Sequence, residues 1–345
     1  VRQTATLALA AAGGWLFALI GTPLAWMLGS MFLITAASLA GAPTDISFGL
    51  RKIMLAILGI MLGSAFRPAI LDQAALWLPS MAVMIGFIAL ITTMSYQYFR
   101  RIAGFDQPTA YFSSAPGGLT EMIMVGESMG GNVATISLVH ATRILVVVGT
   151  IPVYFRYVEG LHIPSLPPGP GGIPDLIDVV LLTACAVIGV PMAATLRFPA
   201  GALVGPLLLS SLLHISGLSE AAIPNPLVAA AQVVIGAGIG CRFAGLRFGA
   251  VWRIIGFAAG SGIMMVMAAV ITAILVAPLI GDLPKPLMLA LAPGGLAEMS
   301  LIALSLGSQT AYISFMHISR IILVVLVFPS LFRKLTGADA PEKGK

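Results

Sequence analysis

A stretch of 42 residues occurs twice in this chain, and both copies carry ionisable side chains into otherwise apolar sequence. Residues 115–156 align with residues 292–333 without a gap, at an offset of 177, and 20 of the 42 positions are identical. The identities include three pairs of ionisable residues: Glu121 and Glu298, His140 and His317, and Arg143 and Arg320. Because a charge among apolar residues is costly, these pairs indicate a role shared by both copies.

The composition places these copies in a membrane. Hydrophobic residues make up 59% of the 345 residues and charged residues only 9%, with a mean hydropathy of +1.03. A soluble core cannot bury so much apolar surface, and long unbroken apolar runs argue against a β-barrel, so we predict an all-α polytopic membrane protein. The basic residues occur in ones and twos at segment ends, which is typical of topology signals and does not indicate nucleic-acid binding.

The duplication extends over most of the chain. Pro23, Gly29 and Gly41 recur at an offset of 176, and Gly59 and Gly63 recur at an offset of 177. The sequence therefore predicts a first membrane repeat at residues 1–158, a Pro/Gly-rich linker at 159–175, a second repeat at 176–334 and a polar C-terminal tail at 335–345.

Each repeat contains six apolar stretches, of which the fifth holds an Ala-Pro-Gly-Gly segment and is predicted to be broken. The stretches lie at about 4–20, 23–41, 51–66, 73–99, 108–129 and 132–156, and again at 176–196, 199–217, 226–242, 249–281, 286–306 and 309–333. If the broken stretch enters and leaves on one side, the repeats are inverted, with five spanning helices each. The basic residues other than Arg143 and Arg320 then divide 13 to three, against 11 to five for parallel repeats, so the positive-inside rule favours inversion with both termini cytoplasmic.

The broken stretch has the chemistry of a binding site. Pro116 lacks an amide hydrogen, so the helix is expected to stop there and a new helix to begin near Leu119. The unpaired amides of that helix and its positive dipole end favour an anion. Two such breaks at matching points of inverted repeats are typical of the central site of secondary transporters.

The candidate substrate-binding residues are the glycines of the two breaks and the polar residues of the helix that follows each: Gly117, Gly118, Asn132, Ser137, His140, Arg143, Gly294, Gly295, Gln309, Ser314, His317 and Arg320. Glu121 and Glu298 are candidates for binding a coupling ion, H⁺ or Na⁺, and for pairing with the arginines.

Several alternatives remain open at this level. Each glutamate is also well placed to cap its own helix, since it falls in the first turn. An Arg-Glu pair that only fixes helix register is a further possibility. The histidines are suited to relaying protons, to bonding the neighbouring break, or to joining the glutamates in a metal site.

The paired Ala-Pro-Gly-Gly-x-x-Glu-Met segments, each followed by His-x-x-Arg, resemble those of the AbrB family of bacterial membrane proteins, which are built from a tandem AbrB duplication domain. The likeness covers nearly the whole chain. It implies a multi-pass protein of the bacterial inner membrane, related to transporters with inverted repeats. Family members often carry the label ammonia monooxygenase, but these residues lack the dense histidine or carboxylate cluster of a copper or iron oxygenase.

The sequence therefore favours a secondary active transporter of a small anionic solute, coupled to a proton or sodium gradient, with no catalytic residue, resident metal or other cofactor. Its expected partners are the lipid bilayer, a small-molecule substrate and a second copy of the chain, and not nucleic acid. A membrane-embedded metal-dependent enzyme is one alternative. A channel or a membrane sensor or regulator is another.

Overall fold

The computed structural model describes residues 2–70, 74–161 and 175–336, and within these ranges the chain is helical with no strand. The first half forms α1 (Arg2–Leu19), α2 (Ala25–Leu39), α3 (Phe48–Gly63), α4 (Leu78–Arg101), α5 (Gln107–Ser114), α6 (Leu119–Ser128) and α7 (Val133–Tyr157). The second half forms α8 (Leu176–Thr195), α9 (Gly201–Ile215), α10 (Asn225–Gly240), α11 (Phe248–Val276), α12 (Pro284–Leu291), α13 (Leu296–Ser305) and α14 (Thr310–Thr336). Each helix of the first half thus has its counterpart seven helices later.

Six helical segments are long and apolar enough to cross a membrane: Ala75–Arg101, Val133–Tyr157, Leu176–Thr195, Asn225–Phe243, Phe248–Leu279 and Thr310–Leu335. The chain is therefore a multi-pass membrane protein, and the predicted all-α class is confirmed. Most of the predicted linker, residues 162–174, and residues 337–345 of the predicted tail lie outside the described residues.

The chain divides into two compact units, each of which takes helices from both halves. The first unit comprises Val1–Leu78, Val148–Ala250 and Leu296–Phe315. The second comprises Pro79–Val147, Val251–Gly295 and Met316–Lys345. Both proline-glycine breaks, at residues 115–118 and 292–295, belong to the second unit.

Glycines let helices of the first unit meet at their backbones. A Cβ atom built on Gly29 of α2 would lie 2.5 Å from the carbonyl carbon of Gly13 in α1, which no real side chain tolerates. The equivalent pair in the second half, Gly205 of α9 and Gly189 of α8, gives 2.6 Å. Small residues are what allow such close approach in membranes, where apolar side chains gain little by leaving lipid.

A second set of glycine contacts joins the two halves within the first unit. Gly59 of α3 lies against the Leu203 backbone of α9, while Gly236 of α10 lies against the Met27 backbone of α2. Met27 and Leu203 are equivalent at the offset of 176. The third helix of each repeat therefore packs on the second helix of the other repeat.

We expect Gly29→Val to reduce the yield and thermal stability of the folded protein sharply, since the side chain would meet backbone atoms that cannot move aside. Overpacking of this kind costs about 1–3 kcal/mol or more. Gly86→Ala in α4 is the matched control, because nothing lies within 4 Å of its added Cβ. That substitution should be neutral or stabilise the helix by up to about 1 kcal/mol. Thermal unfolding in detergent compares the two, and equal melting temperatures would contradict the close packing.

The second unit is organised around an apolar cluster that brings α4, α5, α7 and α11 together. Its fully buried members are Phe99, Ala110, Val139 and Ala258. Gly262 of α11 adds a close approach to α7, since a Cβ atom there would lie 3.3 Å from Val146 Cβ. This packing fixes the end of α5 against the middle of α7, which carries the first His-x-x-Arg.

Candidate functional site

Each of the two breaks is a four-residue interruption between two short helices. In the first copy α5 ends at Ser114 and α6 begins at Leu119, as the sequence predicted. The backbone leaves the helical conformation at Ala115, where ψ is 127°, and at the equivalent Ala292, where ψ is 132°. Because proline cannot donate a hydrogen bond, the last carbonyl groups of α5 and α12 are left in need of donors.

In the first copy the histidine and arginine of α7 supply these donors. His140 Nε2 lies 2.9 Å from the Phe112 carbonyl oxygen, and Arg143 donates to the Ala115 carbonyl oxygen at 2.7 Å. The Arg143 guanidinium also lies 3.0 Å from His140 Nδ1. Both side chains are buried. The pair therefore caps the broken helix, with a positive charge at the negative end of its dipole.

The second copy repeats these three contacts and adds a fourth. His317 Nε2 lies 2.9 Å from the Leu289 carbonyl oxygen, and Arg320 donates to the Ala292 carbonyl oxygen at 2.6 Å. Arg320 lies 2.8 Å from His317 Nδ1 and donates to the Gly294 carbonyl oxygen at 2.8 Å. The second arginine thus reaches into the break itself.

The contacts define the protonation of both histidines. A carbonyl oxygen only accepts hydrogen bonds, so Nε2 must carry the ring hydrogen. A guanidinium only donates, so Nδ1 must accept. In this arrangement His140 and His317 are neutral connectors between helix and arginine. Of the readings left open by the sequence, the structure shows the histidine bonded to the neighbouring break.

The two arginines differ from the predicted ion pairs. Carbonyl oxygens and histidine are the hydrogen-bond partners described for Arg143 and Arg320, and no carboxylate is among them. The Nε atom of each is buried without a partner in the described part of the chain. Both arginines belong to the second unit. That unit therefore holds two buried positive charges, each with a donor still available.

The two motif glutamates lie in different surroundings. Glu121 is half-buried, and its carboxylate folds back against Gly118, the residue that precedes its own helix. This agrees with the capping alternative. Glu298 is only 7% exposed and belongs to the first unit, where α13 packs on α3, the helix that carries Arg51. Arg51 carried no signal in the sequence, because its equivalent position in the second repeat is Val228.

The first break and the second copy's long helix meet within the second unit. A Cβ atom on Gly117 would lie 2.6 Å from Val324 Cγ1, one helical turn beyond Arg320. The Tyr111 hydroxyl at the end of α5 also donates to the Phe328 carbonyl oxygen of α14 at 3.1 Å. The first interruption therefore lies directly beside the helix that bonds the second one.

The remaining predicted residues are placed less centrally. Asn132 is exposed and accepts from the Thr135 amide at 2.8 Å, which makes it a helix cap. Gln309 is exposed at the start of α14. Ser137 is half-buried, whereas Ser314 is buried and donates to Ser300 at 2.9 Å. The structure thus brings histidine and arginine to each break but does not bring Asn132 and Gln309 there.

Comparison with known proteins identifies the family. The family described as "Transition state regulatory protein AbrB" matches residues 26–336, which is most of the chain. This chain belongs to the AbrB family. The family match includes both breaks and both His-x-x-Arg segments, so the site described above lies within the family's common region.

Two AbrB-like relatives show how far the similarity extends. The Bacillus subtilis (strain 168) protein named "Uncharacterized protein YhjN" is 30% identical over 366 residues, an alignment that covers 98% of this chain and 94% of the relative. The Escherichia coli (strain K12) protein named "Putative regulator AbrB" is 24% identical over 234 residues, or 66% of each chain. The similarity to the first relative therefore spans both repeats.

Within the described residues of this AbrB family protein, no three histidine, cysteine or acidic side chains come together as a metal-binding group. Both ring nitrogens of His140 and His317 are already engaged by carbonyl and guanidinium groups. A metal held by these histidines would have to displace the caps of both broken helices.

Proposed function

We propose that this protein is a secondary active transporter of a small anionic solute, coupled to a proton or sodium gradient. The single observation that carries the proposal is the pair of buried guanidiniums, Arg143 and Arg320, which lie at the two breaks of one unit and have no carboxylate among their described hydrogen-bond partners. Two like charges in a buried region are unfavourable, and an anion bound near both would relieve their repulsion.

The available donors define the kind of anion. Each arginine has a buried Nε hydrogen that no described group accepts, while its other nitrogens are held by backbone carbonyl oxygens and by the neighbouring histidine. The guanidinium is therefore already oriented before a ligand arrives. Arginine favours carboxylate and phosphate groups because their oxygens match its planar donors. A small carboxylate or oxoanion is the solute class that fits best.

The coupling ion is assigned to the motif glutamates. Glu298 is buried, and a carboxylate in that environment gains from binding a proton or a sodium ion. Glu121 is half-buried at the start of α6 and is the equivalent group in the other copy. The proposal also includes inverted repeats, a bacterial inner-membrane location and cytoplasmic termini, for which the distribution of basic residues is the support.

The enzyme, channel and regulator alternatives receive less support than the transporter. The metal-dependent enzyme needs ring nitrogens that already hold the helix ends. A channel needs no fixed charge pair that binds its solute, and a bound anion would slow passage. The name of the Escherichia coli relative raises a regulatory role for that protein, and a transporter that binds a solute is compatible with such a role.

Uptake by proteoliposomes tests the proposal. Purified protein is reconstituted and offered a panel of radiolabelled small carboxylates and phosphate, with an imposed inward sodium or proton gradient or with none. We expect saturable uptake of at least one anion, stimulated by one of the two gradients. Flux that does not saturate and ignores both gradients would support the channel. Gradient-independent behaviour together with a stoichiometric transition metal in the purified protein would support the enzyme.

A further inference from the structure

Gln232 is a buried polar side chain that the transport proposal does not use. It lies in α10 within the first unit, and it is completely buried. Neither its amide oxygen nor its amide nitrogen has a hydrogen-bond partner in the described part of the chain. Buried amides are nearly always hydrogen-bonded, so an unpartnered one indicates a missing group.

The register between α10 and α2 shows which part of α2 Gln232 faces. Gly240 of α10 lies against Ile34, and Gly236, one turn earlier, lies against Met27. The two helices therefore run in the same direction. Gln232 lies one further turn towards the start of α10, on the same face as Gly236. The register therefore places Gln232 beside the start of α2.

The neighbouring side chains agree with this placement. Val233, next to Gln232, belongs to an apolar cluster against which Trp26 of the first turn of α2 is packed. The residues that lead into α2, Pro23 and Leu24, are buried, and Leu24 has a left-handed backbone with φ of 47° and provides no side-chain cap. Leu24 and Ala25, where α2 begins, are therefore buried, and the register places Gln232 beside them. The Met27 amide already donates to the Leu24 carbonyl oxygen at 3.0 Å, so the earlier amides of the first turn are the ones that could meet a ligand.

We propose that the N-terminus of α2 and Gln232 together form a binding site for a small carboxylate or oxoanion. The first amide hydrogens of a helix and its positive dipole end attract anions. The Gln232 amide supplies a further donor, and its oxygen accepts from a hydroxyl of the ligand.

The other repeat provides the natural comparison. The position equivalent to Gln232 is Leu55 of α3, and the start of α9 that it faces includes Ala200, which is exposed. Ala200 has the same left-handed backbone as Leu24, with φ of 53°. A helix start with this backbone thus occurs in both halves, but only α2 has a buried polar side chain beside it. The proposed site therefore has no counterpart at the equivalent position of the other repeat. It is distinct from the paired arginines of the second unit.

Equilibrium binding tests this inference with acetate and phosphate as probes, at constant sodium concentration balanced with chloride. We expect saturable binding of at least one probe to the Arg143→Gln variant in detergent. The Gln232 substitutions are made both in that variant and in the wild-type protein, because the arginine pair is also proposed to bind small anions. Gln232→Glu should weaken this binding at least tenfold, because a carboxylate repels the anion. Gln232→Leu, which copies the residue of the other repeat and leaves no polar group unpaired, should weaken it in a stable fold. Gln97→Leu at an exposed position of α4 is the matched control and should change nothing.

An arginine variant separates this site from the transport site. Binding that survives in Arg143→Gln and is lost in Gln232→Glu would support the inference. Binding that is lost in Arg143→Gln and unchanged in both Gln232 variants would overturn it, while agreeing with the transport proposal. Absence of saturable binding of either probe to the wild-type protein would also overturn it, and the uptake assay would still decide the transport proposal separately.

Discussion

Arg320→Leu is expected to destabilise the protein more than Arg143→Leu, although the two arginines occupy equivalent positions. Arg320 donates to the Ala292 and Gly294 carbonyl oxygens at 2.6 and 2.8 Å, whereas Arg143 donates to one carbonyl oxygen, that of Ala115. Each buried carbonyl left without a donor costs about 1–3 kcal/mol. The loss should therefore be about 2–6 kcal/mol for Arg320→Leu and about 1–3 kcal/mol for Arg143→Leu.

The free energies of unfolding of the purified variants are compared in detergent, with circular dichroism as the measure of unfolding. Arg101→Leu at the exposed end of α4 is the control for loss of a positive charge, and it should unfold like the wild-type protein. Equal destabilisation by the two buried substitutions would show that the extra carbonyl contact of Arg320 does not contribute. Wild-type stability in both would remove the capping role altogether.

Arg143→Lys is expected to reduce anion uptake by about 30- to 100-fold while the protein still folds. Lysine keeps the positive charge and can replace the single bond to the Ala115 carbonyl. It cannot at the same time offer the planar set of donors that arginine directs at a carboxylate or phosphate. Loss of charge-assisted bonds worth about 2–3 kcal/mol corresponds to the stated factor.

Initial rates of uptake in proteoliposomes measure this effect, with gel filtration to confirm the folded state. Arg101→Lys is the matched control, since it makes the same exchange at an exposed position. We expect wild-type rates for the control. Wild-type uptake by the Arg143→Lys variant would show that the charge alone suffices, and would remove the directional donors from the account.

The helices were predictable from the sequence because apolar runs and proline-glycine punctuation carry local information. The break before Leu119 follows from Pro116, which cannot continue a helix. The stripe of Ser137, His140 and Arg143 follows from steps of three along one helix. These features depend only on neighbours in the chain.

The partners of the arginines were not predictable in the same way. The sequence favours Glu121 and Glu298 as partners because opposite charges attract, whereas the described contacts of Arg143 and Arg320 are carbonyl oxygens and histidine. Those acceptors lie 28 residues earlier in the chain, at the ends of α5 and α12, and a backbone carbonyl carries no residue-specific signal. The need for a donor follows from the break, but which side chain reaches it depends on packing.

The exchange of helices between the repeats was equally hidden. Gly59 and Gly236 are equivalent positions of the duplication, but their recurrence does not show that each meets a helix of the other repeat. Gln232 gave no signal, because a single glutamine in an apolar helix looks like ordinary variation. Its complete burial, with no hydrogen-bond partner among the described residues, depends on how distant helices pack.

The central claim is that the paired arginines of the second unit hold the transported anion, and equilibrium binding of that anion to Arg143→Gln tests it most directly. This variant leaves a single carbonyl to be satisfied, so it should remain folded. We predict that the anion taken up by the wild-type protein binds saturably to the Gln232→Leu variant, and that adding Arg143→Gln weakens this binding at least tenfold, whereas adding Arg101→Gln leaves it unchanged. Equal affinity in the Gln232→Leu variant with and without Arg143→Gln, in a folded protein, would contradict the account.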